Sequence, residues 1–291
     1  MNETSDIPLR VAAERKLAEE WALVLIAEGL SPSVRRSSEG YVLVVPAEEA
    51  ERGVAILSSY ERENPVEPHE GDEAAGYAHV VTALAVAGAL IGFFFVTGAG
   101  DSMVHWFQRG SADVERILYG EVWRTVTALT LHADIGHVLA NAIAGAVFLA
   151  AVCRGLGPGL GCAVVLLAGA GGNYVNALFH GSFHVSVGAS TSVFGAVGVL
   201  GGLGVVRRRR KGARGRLAWM PIVASLALLA MLGMGGERVD LWAHLFGFLV
   251  GGVMGVLVAF AVPRPPGLRV QWVLGGTTLA VVLYCWTLAF A

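Results

Sequence analysis

The sequence predicts a polytopic α-helical membrane protein carrying a small N-terminal α+β domain, and three observations predict it. Only 15% of the 291 residues are charged, against about 25% in soluble domains. Mean hydropathy is +0.61. The charges also divide: residues 1–77 hold 16 acidic and 7 basic side chains, net −9, whereas residues 78–291 hold 7 acidic and 14 basic, net +7. The whole-chain value of −2 thus averages two unlike parts, and a soluble globular enzyme is excluded.

The acidic part reads as a small α+β domain over residues 1–64. Leu17, Trp21, Val24 and Leu25 fall at helical spacing within residues 8–29, the pattern of an amphipathic helix. An extended stretch Ser33–Arg36, a Ser-Glu-Gly turn and the apolar run Tyr41–Val45 suit a hairpin. A second helix is expected over Ala47–Tyr60 with Val54, Leu57 and Ser58 inward, giving an α-β-β-α order. Residues 65–77 form an acidic, Pro-containing linker. The polar, acidic start MNETSDIPLR lacks the basic and apolar regions of a cleaved signal, so this domain is expected to remain cytoplasmic. Its acidity argues against nucleic acid or anionic lipid as a partner. Cys153, Cys162 and Cys285 lie in or beside apolar runs, which suits buried structural thiols rather than disulfides or a metal cluster.

From Tyr77 onward, seven segments approach the roughly 20 apolar residues that a bilayer crossing needs: 78–97, 136–153, 159–178, 188–206, 217–234, 241–262 and 270–291. Arg154, the run Arg207–Lys211 and the pair Arg264 and Arg269 all follow even-numbered spans. The positive-inside rule then puts the N-terminus in the cytoplasm and the C-terminus outside. The mixed segment 98–131 becomes an external loop with an interfacial element.

Polar groups inside spans are costly and therefore conspicuous. His132, His137 and Asn141 open the second span, Asn173 and Asn176 close the third, Ser190, Thr191 and Ser192 open the fourth, and His244 opens the sixth. Alternating topology brings all of them to the external side. Ser190 begins a helix, where unbonded N–H groups and the dipole favour an oxyanion, and His244 is a base for its hydroxyl if the two spans touch. Gly247, Gly251 and Gly255 form a strip at i, i+4, i+8, and Gly198 with Gly202 gives the fourth span a similar one, which permits such an approach. Glycine strips alone mean helix packing, and a lone helix-start serine means local hydrogen bonding; a histidine at the same depth is what turns the reading to catalysis.

These residues resemble the rhomboid intramembrane serine proteases of bacterial type. The resemblance is carried by Gly188-Ala189-Ser190 with Phe194-Gly195, Ala243-His244 with Gly247, Trp123-Arg124, and His137 followed by Asn141. It implies a six-span core over residues 78–262 with an additional helix over 263–291. It implies a catalytic Ser190–His244 dyad and an oxyanion hole of His137, Asn141 and the Ser190 N–H. Phe194 would stack on His244, Gly188 would keep the loop open, and Trp123 and Arg124 would anchor the first loop. No cofactor or metal is implied; the partners are transmembrane protein substrates in the bilayer of a bacterial inner membrane. One departure stands out: the family usually writes Gly-x-Ser-Gly, and here Thr191 follows the serine; its side chain could crowd the oxyanion pocket, but its hydroxyl can be satisfied locally, so it reads as a tolerated variant.

Other chemistries fit less well. Gly98-Ala99-Gly100-Asp101 has the Gly-x-Gly-Asp spelling of presenilin-type aspartyl proteases, but no span offers the second carboxylate. There is no His-Glu-x-x-His for a metalloprotease, and no repeated halves for a transporter. A catalytically inactive rhomboid-like protein that binds membrane clients is the main alternative; it would be signalled by loss of the serine or histidine, and both are present.

Overall fold

The structure is a computed structural model of the chain, and it describes residues 6–12, 15–37, 40–64, 72–100, 104–212, 219–220, 222–223, 225–227 and 240–291. The chain divides into two compact units, Met1–Glu70 and Gly71–Ala291.

The first unit runs β1 (Asp6–Ala12), α1 (Arg15–Ala27), β2 (Ser33–Ser37), β3 (Gly40–Pro46) and α2 (Ala50–Glu63). Its antiparallel sheet has the order β1-β3-β2. Residues 8–12, expected at the start of the first helix, are strand instead. Ile7 and Val11 are β-branched, Pro8 cannot donate within a helix interior, and the pairing slips between Pro8 and Arg10, so that Leu9 and Ala12 both reach the core. The helices cover the sheet with Trp21, Leu25 and Leu57, which close on Leu43 and Val45. Val54, expected inward, is exposed. Gly53 takes the buried place beside it, because a Cβ there would come within 2.7 Å of Leu9.

The second unit contains α3 (Asp72–Thr97), α4 (Val104–Gly110), β4 (Ala112–Asp113), α5 (Val114–Leu118), α6 (Arg124–Thr127), α7 (Ile135–Leu156), α8 (Pro158–His180), β5 (Val185–Ser186), α9 (Ser190–Arg210), α10 (Leu241–Ala261) and α11 (Leu268–Phe290). Six of these helices, α3, α7, α8, α9, α10 and α11, are long and apolar enough to cross a bilayer. The span expected at 217–234 lies largely outside the described residues; within it, Ser225 is buried and its hydroxyl donates to the Val197 carbonyl at 3.3 Å. Large apolar side chains such as Val81, Phe95, Ile143, Leu257 and Trp272 face outward, as lipid requires. No disulfide joins the described cysteines: Cys153 and Cys285 are buried, and Cys162 is half-buried.

Helix α9 is the centre of the bundle, with 72% of its apolar window buried against 17% for α11. Small residues make that burial possible. A Cβ on Gly198 or Gly202 would collide with α10 backbone at Phe248 and Gly252, and one on Gly251 or Gly255 would collide with α9 backbone at Gly195 and Val199. Reciprocal glycines therefore bring α9 and α10 to backbone contact, where dispersion and close packing hold helices together in lipid. The α11 helix is bolted at both ends. Gln271 donates to the Leu156 carbonyl and accepts from the Leu160 N–H, each at 2.9 Å. Trp286 Nε1 donates to Thr130 Oγ1 at 3.1 Å, and Arg109 donates to the Ala289 carbonyl at 3.0 Å.

Candidate active site

Asp134 caps α7, its carboxylate accepting the His137 N–H at 2.8 Å. Starting the helix there puts His137 and Asn141 one turn apart on one face. Asn141 is buried, and its Nδ2 has no hydrogen-bond partner among the described residues. An unbonded buried amide is a donor waiting for an acceptor.

Opposite this face runs the segment that enters α9. Gly188 adopts φ +129°, a conformation glycine takes without strain, and a Cβ there would stand 2.7 Å from the His137 ring. Backbone bonds fix the segment: Gly188 N–H donates to the Ala128 carbonyl at 2.9 Å, and Ala189 N–H donates to His132 Nε2 at 3.3 Å. His132 is fully buried. Accepting the Ala189 N–H leaves Nε2 without a proton. Ser190 is the first residue of α9, and the first internal bond of the helix comes from Val193 N–H to the Ala189 carbonyl. The amides before Val193 thus belong to the open positive end of the helix.

His244 lies in the first turn of α10. Asp240 caps that helix: one carboxylate oxygen accepts the Ala243 N–H at 3.0 Å, and the Asp240 carbonyl accepts the His244 N–H at 3.1 Å. The imidazole is buried, with the Phe194 ring 4.4 Å away at 37°. Ser190, His244, His137, Asn141, Gly188 and Phe194 all line one cavity of about 1010 Å³.

Gly247 stands behind this cavity, where a Cβ would run into the Thr191 carbonyl. Thr191 itself is buried. Its methyl points at Gly172 of α8 and Gly247 of α10, 2.8 and 3.0 Å from where Cβ atoms on those residues would sit. Thr191 lines the cavity, and its methyl is received by glycines on two neighbouring helices. Trp123 and Arg124 are not part of the cavity wall. Arg124 is 2% exposed and holds the first loop together, bonding Glu121 at 2.6 Å and the Ser111 and Gln108 carbonyls at 3.1 and 3.0 Å.

Sequence reasoning missed His184. It reaches the second oxygen of Asp240 at 2.6 Å, beside Asn176 Nδ2 at 2.9 Å, and its ring stacks on His180 at 4.1 Å. Burial raises the Asp240 carboxyl, but the bonds from Ala243, His184 and Asn176, with the attraction of His184, outweigh it and hold the group below its ordinary value. The available signal was an ionisable residue six positions before Ser190. Also unforeseen was the ladder pairing Ala112 with Ser186 and Asp113 with Val185, which ties the first loop to the segment entering α9.

Six helices long and apolar enough to cross a bilayer define an integral membrane protein, and Ser190 and His244, each in the first turn of its helix, line a common cavity in it. The family model described as "Rhomboid domain" matches residues 119–260. The chain is 30% identical over 175 residues to the "Putative rhomboid protease YdcA" of Bacillus subtilis (strain 168), covering 60% of this chain and 85% of that protein. It is 29% identical over 157 residues to "RHOMBOID-like protein 1" of Arabidopsis thaliana, covering 54% of this chain and 40% of that one. The chain belongs to the rhomboid family, and it is a multi-pass membrane protein.

Proposed function

We propose that the protein is an intramembrane serine endopeptidase that cleaves single-pass membrane proteins near the external interface. The observation that carries this reading is the shared cavity lined by Ser190, His244, His137 and Asn141. Ser190 Oγ attacks the scissile carbonyl while His244 removes its proton. The oxyanion is received by the Ser190 N–H at the helix start, by Asn141 Nδ2 and by the His137 ring. His244 then returns the proton to the leaving amine. Water entering the cavity hydrolyses the acyl-enzyme, with His244 acting again as base. Phe194 limits the tilt of the imidazole, and Gly188 leaves the His137 side of the pocket open. A folded transmembrane helix hides its peptide bonds, so the substrates are helices that unwind readily near that interface.

The arginines after α7 and α9 and after α10 support a cytoplasmic N-terminus and an external active site, in a bacterial inner membrane. In this reading residues 1–64 form a cytoplasmic domain, 65–77 a linker, 78–262 the catalytic core and 263–291 an added helix.

The test is cleavage of a single-pass substrate in liposomes, together with labelling by a serine-directed phosphonate. Wild type should do both, while Ser190→Ala and His244→Ala should cleave at background and keep the wild-type melting temperature. Cleavage by Ser190→Ala would refute the dyad. A wild type that binds substrate but neither cleaves nor labels would establish an inactive client-binding relative instead.

A further inference from the structure

Asp240 touches three elements at once. One carboxylate oxygen caps α10 through Ala243 N–H, and its backbone carbonyl holds the His244 N–H. The other oxygen meets Asn176 at the end of α8 and His184 in the segment that leads, through β5, into Ser190. That segment is held on its far side as well, where the His184 carbonyl accepts the Val114 N–H at 3.0 Å. His184 is further restrained by its stack on His180, whose Nδ1 lies 3.1 Å from the Asn176 carbonyl. A short polar path therefore runs from the peptide of His244, through Asp240 and His184, to the chain entering Ser190. Its separation in sequence is 56 residues. The glycine contacts of α9 with α10 run from Gly247 against Thr191 near the helix starts to Gly255 against Val199 deeper in the bundle, and they set the distance between the helices.

We infer that Asp240 and His184 form a clasp that positions His244 against Ser190. The inference rests on the Ser190–His244 reading above. Neither clasp residue is asked to exchange a proton with substrate. Asp240 acts through the α10 terminus that carries His244, and His184 acts through the segment that carries Ser190. Capping alone needs only one of the two Asp240 oxygens. The second oxygen is what joins the two halves of the dyad, and it can be removed separately.

The experiment uses full-length protein in liposomes with a single-pass substrate, and reads kcat, KM, phosphonate labelling rate and melting temperature. Asp240→Ser keeps a good capping acceptor and deletes the second oxygen. His184→Phe keeps a ring to stack on His180 and deletes the N–H. Each should lower kcat and the labelling rate about 10-fold, since misplacement by a fraction of an ångström has that order of cost. KM and melting temperature should stay at wild-type values. The double variant should be no slower than either single one, because both cut the same link. His184→Gln, whose amide can still donate to Asp240, should restore most of kcat. The clasp is overturned if either single variant turns over at the wild-type rate, if the double variant shows the product of the two losses, or if His184→Gln is as slow as His184→Phe. A wild type inert to both substrate and phosphonate overturns the dyad reading, and the clasp with it; an active wild type matched by Asp240→Ser overturns the clasp alone.

Discussion

Adding one methyl at Gly247 should separate the halves of the proposed site. A Cβ there falls well inside contact distance of the Thr191 carbonyl oxygen and 3.0 Å from the Thr191 methyl. Ordinary carbon contacts begin near 3.5 Å, so α9 and α10 must part locally by about 1 Å. The nearest obstacle is backbone and cannot rotate away. Overpacking of this kind costs about 1–3 kcal/mol. The effect on rate should be larger in proportion, because Thr191 adjoins Ser190, Gly247 lies one turn from His244, and about 1 Å of misplacement costs on the order of 100-fold. The assay is kcat for Gly247→Ala in liposomes beside its thermal unfolding in detergent. Removing the threonine methyl as well, in Gly247→Ala with Thr191→Gly, should not restore turnover, since the carbonyl remains. Turnover of Gly247→Ala within threefold of wild type would refute the reasoning. Recovery in the double variant would show that the side chain, not the backbone, is the obstacle.

Thr191→Gly alone should lower stability by roughly 1–2 kcal/mol through the void left between α8 and α10, with kcat within threefold of wild type; a large gain in kcat would mean that the side chain does crowd the oxyanion pocket. Gln271→Leu should cost about 2 kcal/mol in thermal unfolding, because it strands the buried Leu156 carbonyl and the Leu160 N–H at the α7–α8 turn. A loss below 0.5 kcal/mol on the scale of a single hydrogen bond would remove the anchoring role assigned to α11.

What was legible in the sequence follows from the range of each interaction. Hydropathy over some 20 residues is a local property, and six of the expected spans are helices. The polar residues inside them were conspicuous because lipid makes each one costly. Strand β1 was not legible, because Leu9 and Ala12 keep a helix-like spacing and only the pairing with β3, some 30 residues on, decides otherwise. Two-residue strands such as β4 and β5 have no periodicity to detect. The bond of Asp240 to His184 was not legible either, because it depends on how three elements converge. The sequence around Thr191 likewise says nothing of Gly172 and Gly247, the glycines that receive its methyl.

Those two glycines constrain the order in which substitutions can accumulate. A β-carbon at residue 172 or at residue 247 would stand within about 3 Å of the threonine methyl, so a chain carrying larger residues there accepts Thr191 only by moving helices apart. Both neighbours must be small before the threonine arrives. Neither can enlarge whatever side chain stands at 191, because a Cβ at 247 meets the Thr191 carbonyl and one at 172 meets the Gly247 backbone. The side chain at 191 thus fits this packing only while two positions in other helices carry no β-carbon. Transplanting this Ser-Thr pair into a relative with bulkier counterparts should fail, and transplanting all three positions together should succeed.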